Sequence, residues 1–398
     1  MRALATAVGM TVLLPLTAYA GEPGNQPPAP VPDFASVVAG ESVTIHVLAN
    51  DIDDGLPQPL QVVAVDEDPR VTFDAATVTF AAGPQDQGQY TVGYTVSDGD
   101  EEASSTITVT VDRPQTSVSL SLPATVVGLQ PFRVWGKVIP ARAVRVVLHR
   151  RIGAGPWREV ARTTSDAAGR FRFTQKAVRL APLRYYAAAG AHSSAVVTRR
   201  VAARPQVTVS GPLAARDVPF SYRPGCPVGP SSLRRITITH LSYGGVLKRG
   251  RVVVSASAVP AVQRMLTKAL AARFPFRQLV PADRFYDGGR RTPTQSDLAA
   301  MRADNTSAFN CRAVTGNPYR LSQHSYGNAI DINTVRNPYV TASHVYPSFA
   351  RTYLNRGWRR PGMLFHDGVV ATALRNAGWL WGARWAHPDY QHFSSNGG

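Results

Sequence analysis

His324 and Asp331 stand seven positions apart in the run Ser322-Gln323-His324-Ser325-Tyr326-Gly327-Asn328-Ala329-Ile330-Asp331-Ile332-Asn333. Imidazole and carboxylate are zinc-binding groups. Side chains of a strand alternate between faces, so Ala329, Asp331 and Asn333 would share one face and Ile330 and Ile332 the other. The isoleucine face can be buried while the Asp331 face looks into a cleft. A turn at Gly327 would fold His324 back over that face. A catalytic zinc takes three protein ligands and keeps a fourth position open, so a third ligand must come from elsewhere. The late run Trp385-Ala386-His387-Pro388-Asp389-Tyr390-Gln391-His392-Phe393 offers one. It sets Asp389 three residues before His392, and His387 competes as a ligand.

Taken in order, these segments read Ser-x-His (322–324), Gly-x-Ala-x-Asp (327–331) and acid-x-x-His followed by an aromatic (389–393). The set resembles the zinc D-Ala-D-Ala carboxypeptidases and L-alanyl-D-glutamate peptidases of bacterial cell walls, over about residues 204–398. The resemblance implies His324, Asp331 and His392 as zinc ligands and Asp389 as general base. Many members carry glutamate at the base position, so the aspartate is a departure shared with other branches. It also implies that Phe309-Asn310-Cys311-Arg312 supplies a substrate-facing arginine. Arg312 is therefore the first choice for that role and Arg320 the second.

The residue inventory agrees with these roles. The segment 204–398 has no glutamate, and its acids are Asp217, Asp283, Asp287, Asp297, Asp304, Asp331, Asp367 and Asp389. With Asp331 on a metal, Asp389 is the acid tied by sequence to a candidate ligand. A carboxylate beside zinc-activated water takes its proton, and the oxyanion that develops on the attacked carbonyl needs a positive group. Ser322 and Tyr326 read as supporting residues and not as nucleophiles. His240, His344 and His366 read as structural or exposed.

Positioning these residues falls to the rest of the chain. Its 398 residues allow two or three domains. Residues 1–20 read as a signal peptide: Arg2, a short apolar run and Ala18-Tyr19-Ala20. No later stretch is long and apolar enough to span a bilayer. The chain is thus expected to be secreted, associated with the cell wall, and without an integral membrane segment after signal removal. Residues 21–32 read as a Pro-rich linker. Residues 33–113 alternate in short runs such as Tyr90-Thr91-Val92-Gly93-Tyr94-Thr95-Val96, the pattern of an antiparallel β-sandwich. Asn50-Asp51-Ile52-Asp53-Asp54-Gly55 and Ser97-Asp98-Gly99-Asp100 resemble cadherin-like repeats. Asp51, Asp53 and Asp98 are candidate calcium ligands, with simple turn formation as the other reading. Residues 114–203 give a second β-module resembling Ig-like domains of secreted actinobacterial proteins.

From residue 204 strands and helices mix: strand-like runs at 236–241 and 251–254, helical spacing over 259–274, and shorter helices over 297–303 and 366–377. The fold expected is two all-β Ig-like sandwiches followed by an α+β zinc peptidase domain. Cys226 and Cys311 are the two cysteines, and in a secreted chain they should form a disulfide that pins the loop carrying Arg312.

Charge divides the same way. Residues 1–113 hold 3 Lys+Arg against 16 Asp+Glu, residues 114–203 hold 15 against 2, and the remainder 25 against 8. No nucleic-acid motif accompanies the basic part, so anionic cell-wall polymers are the expected polymeric partner. The peptide substrate would be a peptidoglycan stem, most simply cut by D-alanyl-D-alanine carboxypeptidase action. An L-alanyl-D-glutamate endopeptidase and a non-catalytic wall-binding protein are the alternatives.

Overall fold

A computed structural model describes residues 24–314 and 317–397. The expected signal peptide at 1–20 lies outside the described residues. The chain forms two compact units that divide after Thr116.

In the first unit, Asp33–Val38, Glu102–Asp112, Gly88–Ser97 and Gln61–Val65 make one sheet in that order, and Ser42–Ile45, Val78–Ala81 and Val71–Phe73 make a second. The alternation read from the sequence is observed: Val92, Tyr94 and Val96 point inward with Ile107, Val109, Val78 and Phe80. Two features differ from expectation. Asp33–Val38 runs parallel to Glu102–Asp112, with Asp33 opposite Ile107. A parallel pair needs no hairpin between its strands, so nothing local in the sequence marks it. The stretch expected as a linker is also tied into the fold from residue 25. The Asn25 side chain donates to Asp98, the Gln26 N–H to Asp54 and the Val31 N–H to Asp51, and Ala29 bridges to Ile52.

The second unit begins with two more sheets. Pro131–Ile139 lies between Arg170–Lys176 and Ser117–Val118, and Arg145–Ile152 lies between Arg158–Thr164 and Leu183–Ala189. Val134, Val138, Val146, Leu148 and Tyr185 fill the space they share. No gap in packing follows at residue 204. Leu129, Leu180 and Val201 pack against Leu241, Leu247 and Leu270, and the Leu247 N–H donates to the Val178 carbonyl at 2.7 Å. Each such leucine, once buried, contributes about 1.5–3 kcal/mol, enough to join stretches whose compositions differ.

The remainder is built on the hairpin Leu233–Leu241 and Leu247–Ser255, with Val207–Val209 at its edge. Helix α1 (Val259–Ala271) lays Val262, Met265, Leu266 and Ala269 on Ile236, Ile238, Val252 and Val254. It stops before the stretch of helical spacing ends, because Arg273 takes a left-handed backbone (φ 56°). Helix α2 (Pro293–Arg302) starts earlier than expected, where Thr292 accepts from the Gln295 N–H and the Gln295 side chain accepts from the Thr292 N–H. Helix α3 (Val369–Arg375) is shorter than expected, and Gly378 follows in a left-handed turn. Cys226 and Cys311 form a disulfide.

Candidate active site

The loop before Asp331 folds as its sequence requires. The Ser322 hydroxyl accepts from the His324 N–H and caps a single 3-10 turn, Gln323–Tyr326. Gly327 ends that turn at φ 66°. A Cβ there would lie 2.6 Å from the Ser255 backbone nitrogen, so glycine is required for both conformation and space. The strand Ala329–Asp331 then pairs antiparallel with His392–Ser394, Asp331 directly opposite His392 and Ile330 opposite Phe393. Opposite residues share a face with their Cβ atoms about 4.5–5.5 Å apart, so strand register alone brings Asp331 to His392. Ile330, Ile332 and Phe393 are fully buried in the core on the other side. Asn333 does not join the Asp331 face. Its backbone is left-handed (φ 46°) and its side chain binds the backbone of Pro275, Arg277 and Gly362, so the alternation ends one residue early.

His324, Asp331 and His392 come together as expected, all buried, with their ligand atoms within 4.8 Å of one another. His324 Nε2 lies 3.1 Å from Asp331 Oδ2, and His392 Nδ1 lies 3.0 Å from Asp331 Oδ1. The two ring nitrogens are 3.2 Å apart. His324 Nδ1 meets the Ala308 carbonyl. A carbonyl only accepts, so Nδ1 carries the hydrogen and Nε2 of the neutral ring presents a lone pair. That lone pair faces a carboxylate and a second imidazole. Such an arrangement asks for a cation between the groups, and these three side chains could hold a metal ion. Against the burial that raises the Asp331 carboxyl, positive charge on His324 and next on His392 would hold it well below the usual carboxylate range, so the group is satisfied only with a proton or a metal between its members.

Asp389 sits just before this strand. Its backbone N–H donates to Gly382 and its backbone bridges to Tyr339. Its Oδ1 is buried and has no hydrogen-bond partner among the described residues. Burial, and next the Asp331 charge, push this carboxyl up to about 7. Arg312 is buried in the same cleft, with its guanidinium 2.9 Å from Asp297 Oδ1. Its backbone N–H and C=O both meet the Ser325 hydroxyl, and the disulfide lies one residue before it. Arg320 is exposed on the cleft wall.

The cleft encloses ≈ 390 Å³ and is lined further by Met301, Tyr339, Trp385, His387 and Gln391. His387 is exposed and stays outside the His-Asp-His group. Burial lowers His240 to about 4, as suits a packed neutral ring. His344 stacks on Tyr346 and His366 pairs with Arg375. The sequence did not point to Asp297, Tyr339 or Trp385. For Asp297 there was a signal: it shares a face of α2 with Met301, four residues on, where a packed helix wants apolar residues. Tyr339 reaches the cleft through long-range packing that leaves no local pattern, whereas Trp385 belongs to the late run itself and its ring lies 5.6 Å from that of His392.

The calcium assignment of Asp51, Asp53 and Asp98 finds no support. Asp51 Oδ1 accepts from the Val31 N–H and the Tyr94 hydroxyl, and Asp53 Oδ2 from the Gly55 N–H. Asp98 Oδ1 accepts from the N–H groups of Asp100 and Glu101. Asp53 and Asp98 serve turns, Asp51 ties Val31 to Tyr94, and among the described residues the three form no metal-binding group.

Residues 315–395 match the family described as D-alanyl-D-alanine carboxypeptidase, and residues 25–112 match the bacterial Ig domain family. The chain thus carries a peptidase domain of that carboxypeptidase type behind a bacterial Ig-type domain. No curated protein matches the chain. Among solved structures it resembles an endo-fucoidan hydrolase of glycoside hydrolase family 107 (14% identity, TM-score 0.22, 46% of this chain and 30% of that one). It also resembles the N-terminal four Ig domains of Dscam1 isoform 6.9 (14% identity, TM-score 0.21, 46% and 47%). The chain therefore spans less than half the length of either, and likeness at that level carries no argument about function.

Proposed function

We propose that this is an exported zinc peptidase of the bacterial cell wall that removes the terminal D-alanine from peptidoglycan stem peptides. The observation that carries the reading is the lone-pair face of His324 Nε2 set against Asp331 and His392 at the floor of a cleft. His324, Asp331 and His392 would hold the zinc. When bound, the metal supplies Lewis acidity toward the scissile carbonyl and makes water more acidic. Asp389, with its unpartnered oxygen and raised pKa, takes the proton of the attacking water and returns it to the amine of the leaving D-alanine. Arg312 offers its guanidinium to the oxyanion or to the terminal carboxylate, and Asp297 orients it. Residues 114–203 act as a second Ig-like module whose positive charge places the enzyme on a wall rich in anionic polymers, while the acidic first module serves as a spacer.

One observation favours a second reading, an L-alanyl-D-glutamate endopeptidase. Asp297 already neutralises Arg312, which leaves it less free to hold a substrate carboxylate, and an endopeptidase does not need that contact. A pentapeptide stem ending in D-Ala-D-Ala decides between them by mass. Loss of one C-terminal alanine supports the carboxypeptidase. A fragment that begins at D-Glu and keeps D-Ala-D-Ala promotes the endopeptidase. No cleavage with zinc present sinks both and leaves a non-catalytic wall-binding protein.

A further inference from the structure

The strand Pro131–Ile139 alternates cleanly. Phe132, Val134 and Val138 are buried, while Arg133, Trp135 and Lys137 face out. Its neighbour Arg170–Lys176 does the same, with Phe171 and Phe173 inside and Arg170, Arg172 and Thr174 outside. Register sets Trp135 opposite Arg172 and Lys137 opposite Arg170. Two like charges directly opposite one another destabilise a sheet. Nothing on this face offsets them: none of Arg133, Lys137, Arg170 and Arg172 forms an ion pair with a carboxylate among the described residues. Asp166, the acid bordering this face, accepts from the Arg170 backbone N–H. Trp135 remains 45% exposed amid these cations. A groove of ≈ 750 Å³ runs past it and is walled by hydroxyls, among them Ser121 and Thr164.

We infer that this groove binds an anionic glycan, a sugar ring lying on the Trp135 indole while its acidic group meets Lys137, Arg170 and Arg172. The indole is a flat apolar platform for the C–H face of a pyranose. The arginines and lysine give the charge, and the hydroxyl wall matches sugar hydroxyls. A single-stranded nucleic acid is the weaker fit, because such sites present a succession of stacking aromatics and this groove presents one. The choice of a glycan over other polyanions rests on the cell-wall reading, and the charge argument stands without it. The groove lies on the β-region, apart from the residues of the peptidase cleft, so it would hold the polymer that carries the substrate and not the scissile peptide.

The test is binding of the full chain, by titration calorimetry, to polygalacturonate, a phosphomannan, neutral dextran, polyglutamate and a single-stranded oligothymidine. The expected result is binding to one or both acidic glycans and none to dextran. Trp135→Ala should weaken glycan binding roughly tenfold while leaving any polyglutamate binding unchanged. Lys137→Gln combined with Arg170→Gln should weaken both. The preferred acidic glycan then identifies the anionic group as carboxylate or phosphate. Binding to neither glycan overturns the inference, as does glycan binding indifferent to Trp135→Ala, or tighter binding to oligothymidine. Cleavage of a soluble stem peptide, measured on the same variants, should not change. A failure there with glycan binding intact would count against the proposed peptidase alone.

Discussion

Two groups of carboxylates in this chain look alike in sequence and differ in what their lone pairs meet. In the first unit Asp51 accepts from the Val31 N–H and the Tyr94 hydroxyl, Asp53 Oδ2 from the Gly55 N–H, and Asp98 Oδ1 from the Asp100 and Glu101 N–H groups, while Asp53 Oδ1 is buried without a partner among the described residues. In the peptidase region Asp331 faces two imidazoles, and Asp389, whose Oδ1 is without a partner among the described residues as Asp53 Oδ1 is, lines the same cleft as they do. A carboxylate supplied with donors is finished structurally. One set against other lone pairs stays stable only with a proton or a metal between them. The difference lies in partners, and it separates a turn from a ligand set where counting acids does not.

The comparison can be broken most forcefully at Asp389. Asp389→Asn should lower kcat roughly 10²–10⁴-fold while metal content is retained, as read by stem-peptide turnover beside elemental analysis. Near-normal turnover would move the proton to another group. In the intact enzyme kcat/KM should fall as pH is lowered through the Asp389 pKa, because the base must be charged to act. Burial and Asp331 hold that value above the ordinary 3.8 and up to about 7, and a cation among the ligands, by offsetting Asp331, draws it down from there. This acid limb should be absent from the residual activity of Asp389→Asn.

The disulfide ranks next. Cys226→Ser with Cys311→Ser should cost roughly 2–5 kcal/mol of stability, read from the urea midpoint, and should raise KM because Arg312 follows Cys311 directly. Unchanged KM would mean that Ser325 and Asp297 hold the arginine unaided. On the turn side, the unfolding temperature should not respond to millimolar calcium, since a ligand that binds only the folded state must raise it. A clear rise, lost in Asp51→Asn, would restore calcium to the first unit. The smallest effect is electrostatic. Burial holds Asp33 and Asp51 above their usual 3.8, so the folded unit takes up protons there more readily than the unfolded chain. That contribution is complete below 3.8 and fades as pH rises through the raised values. Its slope should shrink in Asp51→Asn.

What could be read from sequence follows the range of the interaction. Helix α1 announces itself by period, because burial on one face imposes it locally, whereas the run at 251–254, with Val252, Val253 and Val254 all buried, reads as a strand from its β-branched residues. Whereas His392 was preferred to His387 through the family resemblance, His324 and Asp331 were legible because glycine, alternation and spacing fix their environment within a dozen residues. Asp297 reaching Arg312 was not, since the pairing depends on how α2 packs. Nor was the parallel pairing of Asp33–Val38, which joins the two ends of the first unit. The change read at residue 204 rested on helical spacing joining the strand runs, and that local pattern does not record that Leu180 and Leu247 share a cluster.

The central claim is that three side chains converge on one metal. The direct measurement is zinc content per chain after stripping with a chelator, dialysis against zinc and removal of the excess. The account predicts one tightly held zinc in the wild type and none in His324→Ala, both chains giving the same circular dichroism. One equivalent of zinc retained by a folded His324→Ala chain would contradict it.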